Sequence, residues 1–386
     1  MKKTIIFLLL LLLPLSVNAE EKKEPTVEPA ILAKSAAASI LMEASTGKIL
    51  YEYKGNERLA PASMTKIMTL LLIMEALDSN KISLTDEVLI TSNAASMGGS
   101  QVFLEAGSKM KVDDLLKAIS IASANDGSVA MAEHLAGSAE VFVQKMNERC
   151  KALGCTNTNF VNVHGLDAEG HYSSAHDMAI MARELLKHEK VLSYTTIYEE
   201  YLKKPDGKTT WMVNTNKLIR YYSGLDGLKT GFTSAAGYCL TATAKRNDMR
   251  LISVVMKEPS PGTRSDETIE LLNYGFSNYK VKTIVDTNKA LGSIEVLNGK
   301  KESVQIRLSE NATNLENINE EKKYTYNIVI KPLKAPVYVG DVVGHLEIIE
   351  KGKIISTFDV TVKETVKKAN LWDLYKRNLN NILIGA

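Results

Sequence analysis

The chain is expected to fold as a mixed α+β domain built around a buried helix, followed by a smaller all-β domain. Three observations predict this. Wound as a helix, Ser63–Leu77 is apolar nearly all the way round, which marks a helix covered on every side. Strand-like segments lie before and after a series of helical ones in the first 278 residues, an order that belongs to mixed domains rather than to alternating βαβ units. After about Tyr279 the texture changes to short segments, often alternating, separated by turn residues.

Bulk properties agree. At 386 residues the chain exceeds what one core usually serves, so two domains are expected. Apolar residues at 45% and charged residues at 24% exclude wholesale disorder. A formal charge of +2, with no basic stripe interleaved with aromatics, argues against nucleic acid as a partner.

Residues 1–19 read as an export signal: Lys2 and Lys3 start it, Ile5–Leu15 is an apolar run short for a bilayer span, and Val17-Asn18-Ala19 supplies small residues for cleavage before Glu20. An uncleaved anchor is the other reading, and either one carries the rest of the chain out of the cytoplasm. Residues 20–35, charged and proline-containing, read as a flexible leader. The first domain, 36–278, opens with a β-hairpin: Ser39–Glu43, a Ser45-Thr46-Gly47 turn, and Lys48–Tyr53. Helices are expected near Ser63–Leu77, Val112–Ile121, Ser128–Ala136, Ala139–Ala152 and Ala175–His188. The strands Gly237–Ala244 and Arg250–Met256 follow, then a helix near Ser265–Tyr274.

In the all-β domain, 279–365, strands are expected at Ser303–Leu308, Tyr324–Ile330, Val342–Glu350 and Ile354–Val362. The final stretch, 366–386, puts Leu371, Trp372, Tyr375, Leu379, Ile382 and Leu383 on one helical face, opposite Asp373, Lys376, Arg377 and Asn380. Such a segment suits the surface of a membrane, or packs on its own domain. The three cysteines make no disulfide framework: Cys150 and Cys155 are close enough in sequence to pair but are expected as free thiols, and Cys239 as core. Six scattered histidines give no metal-ligand spacing, so neither metal nor cofactor is expected.

Chemistry enters with Lys66. Between Met64 and Leu77 the only charged residues are Lys66 and Glu75, in a helix that looks buried. Burial disfavours an ammonium and lowers the lysine pKa, and a neutral lysine can serve as a base. Ser63 lies one helical turn earlier on the same face, at a helix N-terminus, so a hydroxyl nucleophile sits beside a base. The plainer alternative is that Ser63 only caps the helix and Lys66 snorkels to solvent. Ser123-Ala124-Asn125 interrupts two apolar helices; it is either an ordinary turn or a hydroxyl that relays a proton with an amide that holds a substrate carbonyl. Lys229-Thr230-Gly231 reads as an edge strand on which an extended peptide could pair, with positive charge for an anionic substrate, or as a loop-to-strand entry with a solvated lysine. Each element is weak alone. Their order, with gaps of 60 residues (63 to 123) and 106 (123 to 229), is not.

This trio is the signature of β-lactamases and penicillin-binding proteins. With Pro61–Lys66, Val163-His164-Gly165-Leu166-Asp167, Tyr172–Ala175, Asp226–Gly231 and Arg250–Met256, the chain resembles the low-molecular-mass penicillin-binding proteins that are serine-type D-alanyl-D-alanine carboxypeptidases. The likeness covers about residues 36–365. It implies a β-lactamase/transpeptidase-like domain with an antiparallel sheet, action on peptidoglycan stem peptides at the outer face of the cytoplasmic membrane, covalent inhibition by β-lactam antibiotics, and a membrane-associated C-terminal helix. It also implies roles: Ser63 is acylated, Lys66 takes its proton, and Ser123 passes a proton to the leaving D-alanine. The backbone N–H groups of Ser63 and Phe232 would form the oxyanion hole, and Lys229, Thr230 and Arg264 would receive the terminal carboxylate. His164 is expected to be structural. The Glu-x-x-Leu-Asn deacylation motif of class A β-lactamases is absent between residues 150 and 190, which predicts slow release of bound penicillin. The competing readings are a β-lactamase or esterase on the same fold, and an idle module that binds cell-wall peptide.

Overall fold

The computed structural model describes residues 31–376; the expected export signal, most of the leader and the last ten residues lie outside that range. One five-stranded antiparallel sheet organises the first domain, in the order Ile49–Tyr53, Ala38–Glu43, Met249–Glu258, Gly237–Arg246, Leu225–Thr233. The N-terminal hairpin closes as its sequence predicts. Buried Glu43 accepts hydrogen bonds from the backbone N–H and hydroxyl groups of both Ser45 and Thr46 (2.6–2.9 Å), and Gly47 takes the left-handed φ of 71° that the turn requires. Pairing of Ala38–Glu43 with Met256–Leu251 then joins the two ends of the domain.

Both faces of the sheet are covered, as the near-continuous burial of its middle strands demands. On one side packs the helix Pro261–Asn278, where the missing side chain of Gly275 admits Leu251 and Leu41. It runs beyond the Ser265–Tyr274 expected from pattern because Ser260 caps it with a capping box and Pro261 starts it. Glu267 and Glu270 on this helix also accept from the backbone N–H groups of Ala33, Ser35 and Ala36, tying down the end of the leader.

On the other side lies the main core, with the central helix Lys66–Asp78 in its middle; ten of its thirteen residues are buried. The first turn of the predicted helix is a 3-10 turn, Ala62–Thr65, so Ser63 sits in that turn and the α-helix proper opens at Lys66. Asn125–Ala136 begins three residues before the expected Ser128, making Asn125 the first residue of a helix instead of part of a turn. The break from Val112–Ile121 is confined to Ala122, Ser123 and Ala124. Sequence pattern missed two small two-stranded sheets, Glu87–Leu89 with Lys109–Lys111 and Glu199–Lys203 with Thr209–Val213.

From Tyr279 to residue 370 the chain is all β. A six-stranded sheet runs Thr325–Ile330, Val342–Glu350, Lys353–Val362, Ser303–Leu308, Ser293–Leu297, Leu333–Lys334, beside a two-stranded pair, Tyr279–Val285 with Ala312–Asn317. The four strands read from sequence are present. Four more are present: Tyr279–Val285 and Ala312–Asn317, whose burial does not alternate cleanly, the short alternating strand Ser293–Leu297, and the two-residue Leu333–Lys334. Residues 371–376 are helical, with Leu371 87% exposed and Trp372 stacked on Tyr375. No helix among the described residues is long and apolar enough to cross a membrane.

Candidate active site

Lys66 is fully buried, so the snorkelling alternative fails, and Ser63 makes no side-chain cap, so the capping alternative fails with it. Lys66 Nζ lies 3.0 Å from Ser63 Oγ, 2.6 Å from Asn125 Oδ1 and 2.7 Å from the carbonyl oxygen of His164. These three contacts decide the chemistry. A neutral amine has two N–H donors and one lone pair. Asn125 Oδ1 and the His164 carbonyl can only accept, so they take the two donors and leave the lone pair facing the Ser63 hydroxyl. Burial holds the Lys66 pKa well below its usual value; the positive charge of Lys229 pushes the same way, and Asp126 opposes.

The acceptors are themselves fixed. Asn125 Nδ2 donates to the carbonyl of Gly98 (2.7 Å), which orients the amide oxygen towards the lysine. The segment carrying Gly98 is clamped by buried Asp126, whose carboxylate accepts from the backbone N–H groups of Val102 and Leu104. The His164 carbonyl is held through its neighbour, since Thr69 Oγ1 donates to the Val163 carbonyl (2.7 Å). Further along, His171 Nδ1 accepts from Val161 N, so Nε2 carries the proton it donates to Thr65 Oγ1 (2.8 Å). Burial lowers the pKa of both histidines to about 4. The His164 ring accepts from Leu166 N and is structural, as expected, but its carbonyl is part of the site. No sequence pattern marks a backbone carbonyl, which is why it was missed.

The edge strand Leu225–Thr233 closes the other wall. Gly231 lies against the backbone of Ser63: a Cβ there would sit 2.8 Å from the Pro61 carbonyl and 3.2 Å from Ser63 N. Lys229 is buried at 1% exposure, not solvated, and its pKa is pulled down to about 7 by burial and then by Arg264. Thr230 Oγ1 donates to Thr215 Oγ1 (2.7 Å), a residue that sequence reading passed over; the loop around it is pinned to the strand by Asn216 Nδ2 donating to the Gly227 carbonyl. Phe232 is half exposed, its ring stacked on Tyr238 at 4.4 Å.

Ser123 Oγ, Lys229 Nζ and Arg264 Nε are among the buried polar atoms that have no hydrogen-bond partner among the described residues, together with core hydroxyls such as those of Ser39 and Ser253. An orphaned buried donor costs about 1–3 kcal/mol, and for the two cations, Lys229 and Arg264, an anionic ligand would offset that cost. Ser123 also holds φ at 61° and Ala62, beside Ser63, at 46°; left-handed conformations in non-glycine residues cluster at functional sites. The amide of Asn125 differs from expectation: its oxygen already serves Lys66 and one N–H serves Gly98, leaving a single N–H for a substrate carbonyl.

Comparison with known proteins gives the same answer from another direction. The family model described as D-alanyl-D-alanine carboxypeptidase matches residues 22–260, and the one described as penicillin-binding protein 5, C-terminal domain, matches residues 279–368. The chain is 46% identical to the D-alanyl-D-alanine carboxypeptidase DacF of Bacillus subtilis (strain 168), over 98% of this chain and 97% of that protein. Penicillin-binding protein 5 from Haemophilus influenzae superposes with a TM-score of 0.70 at 32% identity, covering 89% of this chain and all of the other. Penicillin-binding protein D2 from Listeria monocytogenes, solved in its ampicillin-bound form, aligns with a TM-score of 0.56 at 32% identity, over 63% of this chain and 98% of its own. On the family models, the relatives and the shared fold, this chain belongs to the D-alanyl-D-alanine carboxypeptidase family.

Proposed function

We propose that this serine-type carboxypeptidase removes the terminal D-alanine of peptidoglycan stem peptides through an acyl-enzyme on Ser63. The observation that carries the reading is the occupancy of Lys66: both N–H groups engaged, its lone pair turned to Ser63 Oγ at 3.0 Å. Lys66 takes the hydroxyl proton as Ser63 attacks the penultimate carbonyl. The N–H groups of Ser63 and Phe232 stabilise the oxyanion, a pair in which loss of one donor costs ~10²–10³ in rate. Lys229, Thr230 and Arg264 receive the terminal carboxylate, and Ser123 passes the proton to the departing amine. Asn125 holds the lysine first and offers its remaining N–H to the acyl part of the substrate. Water then releases the acyl group, slowly for penicillin because no dedicated second base is provided. Residues 36–278 form the catalytic part and 279–365 the β domain. The end of the expected anchor segment 366–386, from Leu371 on, lies on the outer surface of the cytoplasmic membrane, where the exposed Leu371, Trp372 and Tyr375 suit an interface, while Val366 at its start is buried in the β domain and bridged to Val337.

Incubation with penicillin, digestion and mass spectrometry test the assignment. A long-lived adduct on the peptide carrying Ser63 is expected. An adduct elsewhere, or none, overturns it, and rapid turnover of the drug would make the protein a β-lactamase.

Lys229→Met is expected to lower kcat/KM on a D-alanyl-D-alanine peptide by about 10–100-fold, the worth of one charge-assisted hydrogen bond to carboxylate. The same variant should melt higher at pH 7. The folded pKa of about 7 lies below the ordinary 10.5, so between those values the unfolded chain binds more protons and folding is penalised increasingly as pH falls. Removing the amine removes that penalty. A variant that melts at or below the wild type at pH 7 would show the lysine to be better solvated than its burial implies.

A further inference from the structure

Two cysteines meet at the C-terminal end of the helix Ala139–Ala152, just where the chain enters the loop that serves Lys66. Gly154 takes a left-handed φ of 86°, its N–H donates to the Lys151 carbonyl, and the Cys155 N–H donates to the Cys150 carbonyl, both at 3.0 Å. That pair of bonds is a Schellman turn, and the two residues joined by its longer bond are the ones whose side chains touch. Here both are cysteine. Cys150 is buried, with Sγ 3.8 Å from Met181 Sδ, and Cys155 is half-buried against the same core. Both are free thiols in the structure. Contact with Cys150, and then burial, pushes the Cys155 thiol far up, which marks a structural pair rather than a reactive thiolate.

Packing alone accounts for Cys150, since a thiol is a small apolar filler. It does not account for a second cysteine at the position that the turn presses against the first. The loop that follows is tied down at its start. Asn157 N and the Thr158 hydroxyl donate to Asp177 Oδ2 at 2.7 and 2.8 Å, and the Asn147 amide exchanges two 2.8 Å bonds with the Phe160 backbone. Six residues on, the same loop delivers the His164 carbonyl to Lys66. Cys155 is the first residue of that loop to stand clear of the helix.

We infer that Cys150 and Cys155 are joined by a disulfide in the exported protein, closing a six-residue ring over the turn and fixing the loop to its helix. The oxidant is another disulfide, that of a thiol–disulfide oxidoreductase or of a small thiol. The Cys155 thiolate attacks it, forming a mixed disulfide and expelling one thiolate; Cys150 then attacks Cys155 Sγ and expels the second. The two cysteine thiols give up two protons and two electrons, and the incoming disulfide leaves as two thiols. The link restricts the unfolded chain and the fraying helix end, and it leaves the reacting atoms untouched. It goes beyond the carboxypeptidase reading and does not depend on it.

Oxidised glutathione added to the folded full-length protein tests this, followed by denaturation, alkylation with iodoacetamide and peptide mapping by mass spectrometry. Of the three cysteines, only Cys239 should be alkylated, and the segment holding Cys150 and Cys155 should be lighter by two hydrogens until a reductant is added. In Cys155→Ser, Cys150 should be alkylated as well. Alkylation of all three, or glutathione left on Cys155, overturns the inference, because Cys150 is then out of reach. The linked form should melt about 3–6 °C above the reduced one, and the difference should vanish in Cys155→Ser. A linked form that melts no higher than the reduced one overturns the stabilising role. Acylation of Ser63 by penicillin should proceed equally in both forms at room temperature, so this result and the carboxypeptidase assignment stand or fall separately.

Discussion

Lys66→Met is expected to slow acylation by penicillin about 10⁴-fold, the upper range of what a positioned base contributes, with no recovery at alkaline pH. Methionine fills nearly the same volume but has no lone pair basic enough to take the Ser63 proton. Lys66→Arg should be equally slow, because a guanidinium stays protonated and can only donate. In wild type the acylation rate should fall as pH falls through the depressed Lys66 value, since protonation turns the one lone pair into a third donor. Stability adds an independent readout. The folded pKa lies below the unfolded one, so the unfolded chain takes up the extra proton and wild-type stability rises with pH towards 10.5. The contribution of Lys66 to that slope disappears in Lys66→Met. Stopped-flow acylation and melting curves from pH 6 to 10 check both. A variant acylating within tenfold of wild type would mean that another group takes the proton.

The second large effect is expected from Gly165→Ala, a change that touches no reacting atom. Gly165 follows the carbonyl that holds Lys66, and its φ of 93° is a conformation that side-chain-bearing residues rarely adopt. An added Cβ would fall 1.9 Å from the Ala62 carbonyl oxygen and 2.9 Å from Ser63 N. Both are backbone atoms, so no flexible side chain can move aside. Either the loop 163–167 lifts, taking the His164 carbonyl from Lys66, or the 3-10 turn carrying Ser63 shifts. Acylation should fall by about 10²-fold or more, since a displacement of about 1 Å in such an arrangement has that effect. The melting temperature should drop as well, which circular dichroism would read. Acylation within threefold of wild type would show that the nucleophile does not depend on this close approach.

Some of this was open to inspection in the residues alone, and the reason lies in range. Local physics writes itself into local sequence. An all-round apolar run announces a buried helix, so a lysine inside it announces a buried amine, and the serine one turn away announces its partner. The hairpin turn at Ser45-Thr46-Gly47 and the strands of the Gly237–Glu258 hairpin were legible for the same reason. Boundaries slipped where capping outweighed periodicity. Pro261–Asn278 starts earlier than its apolar pattern because the Ser260 capping box and Pro261 set its first turn, whereas Asn125–Ala136 starts early without a side-chain cap, on polar residues that are themselves buried.

What tertiary structure decided was the valence of the site. Whether Lys66 is a base or a cation depends on how many of its contacts accept and how many donate, and those contacts come from Asn125 and His164, 59 and 98 residues away. Likewise, Lys229 reads as a solvated strand lysine until the packing around it shows one buried amine without an acceptor. The sequence by itself determined which residue types were available, in what order, and on which kinds of element. Folding alone determined which hydrogen-bonding positions on each were used up and which were left for a substrate, because that count depends on neighbours brought together from distant parts of the chain.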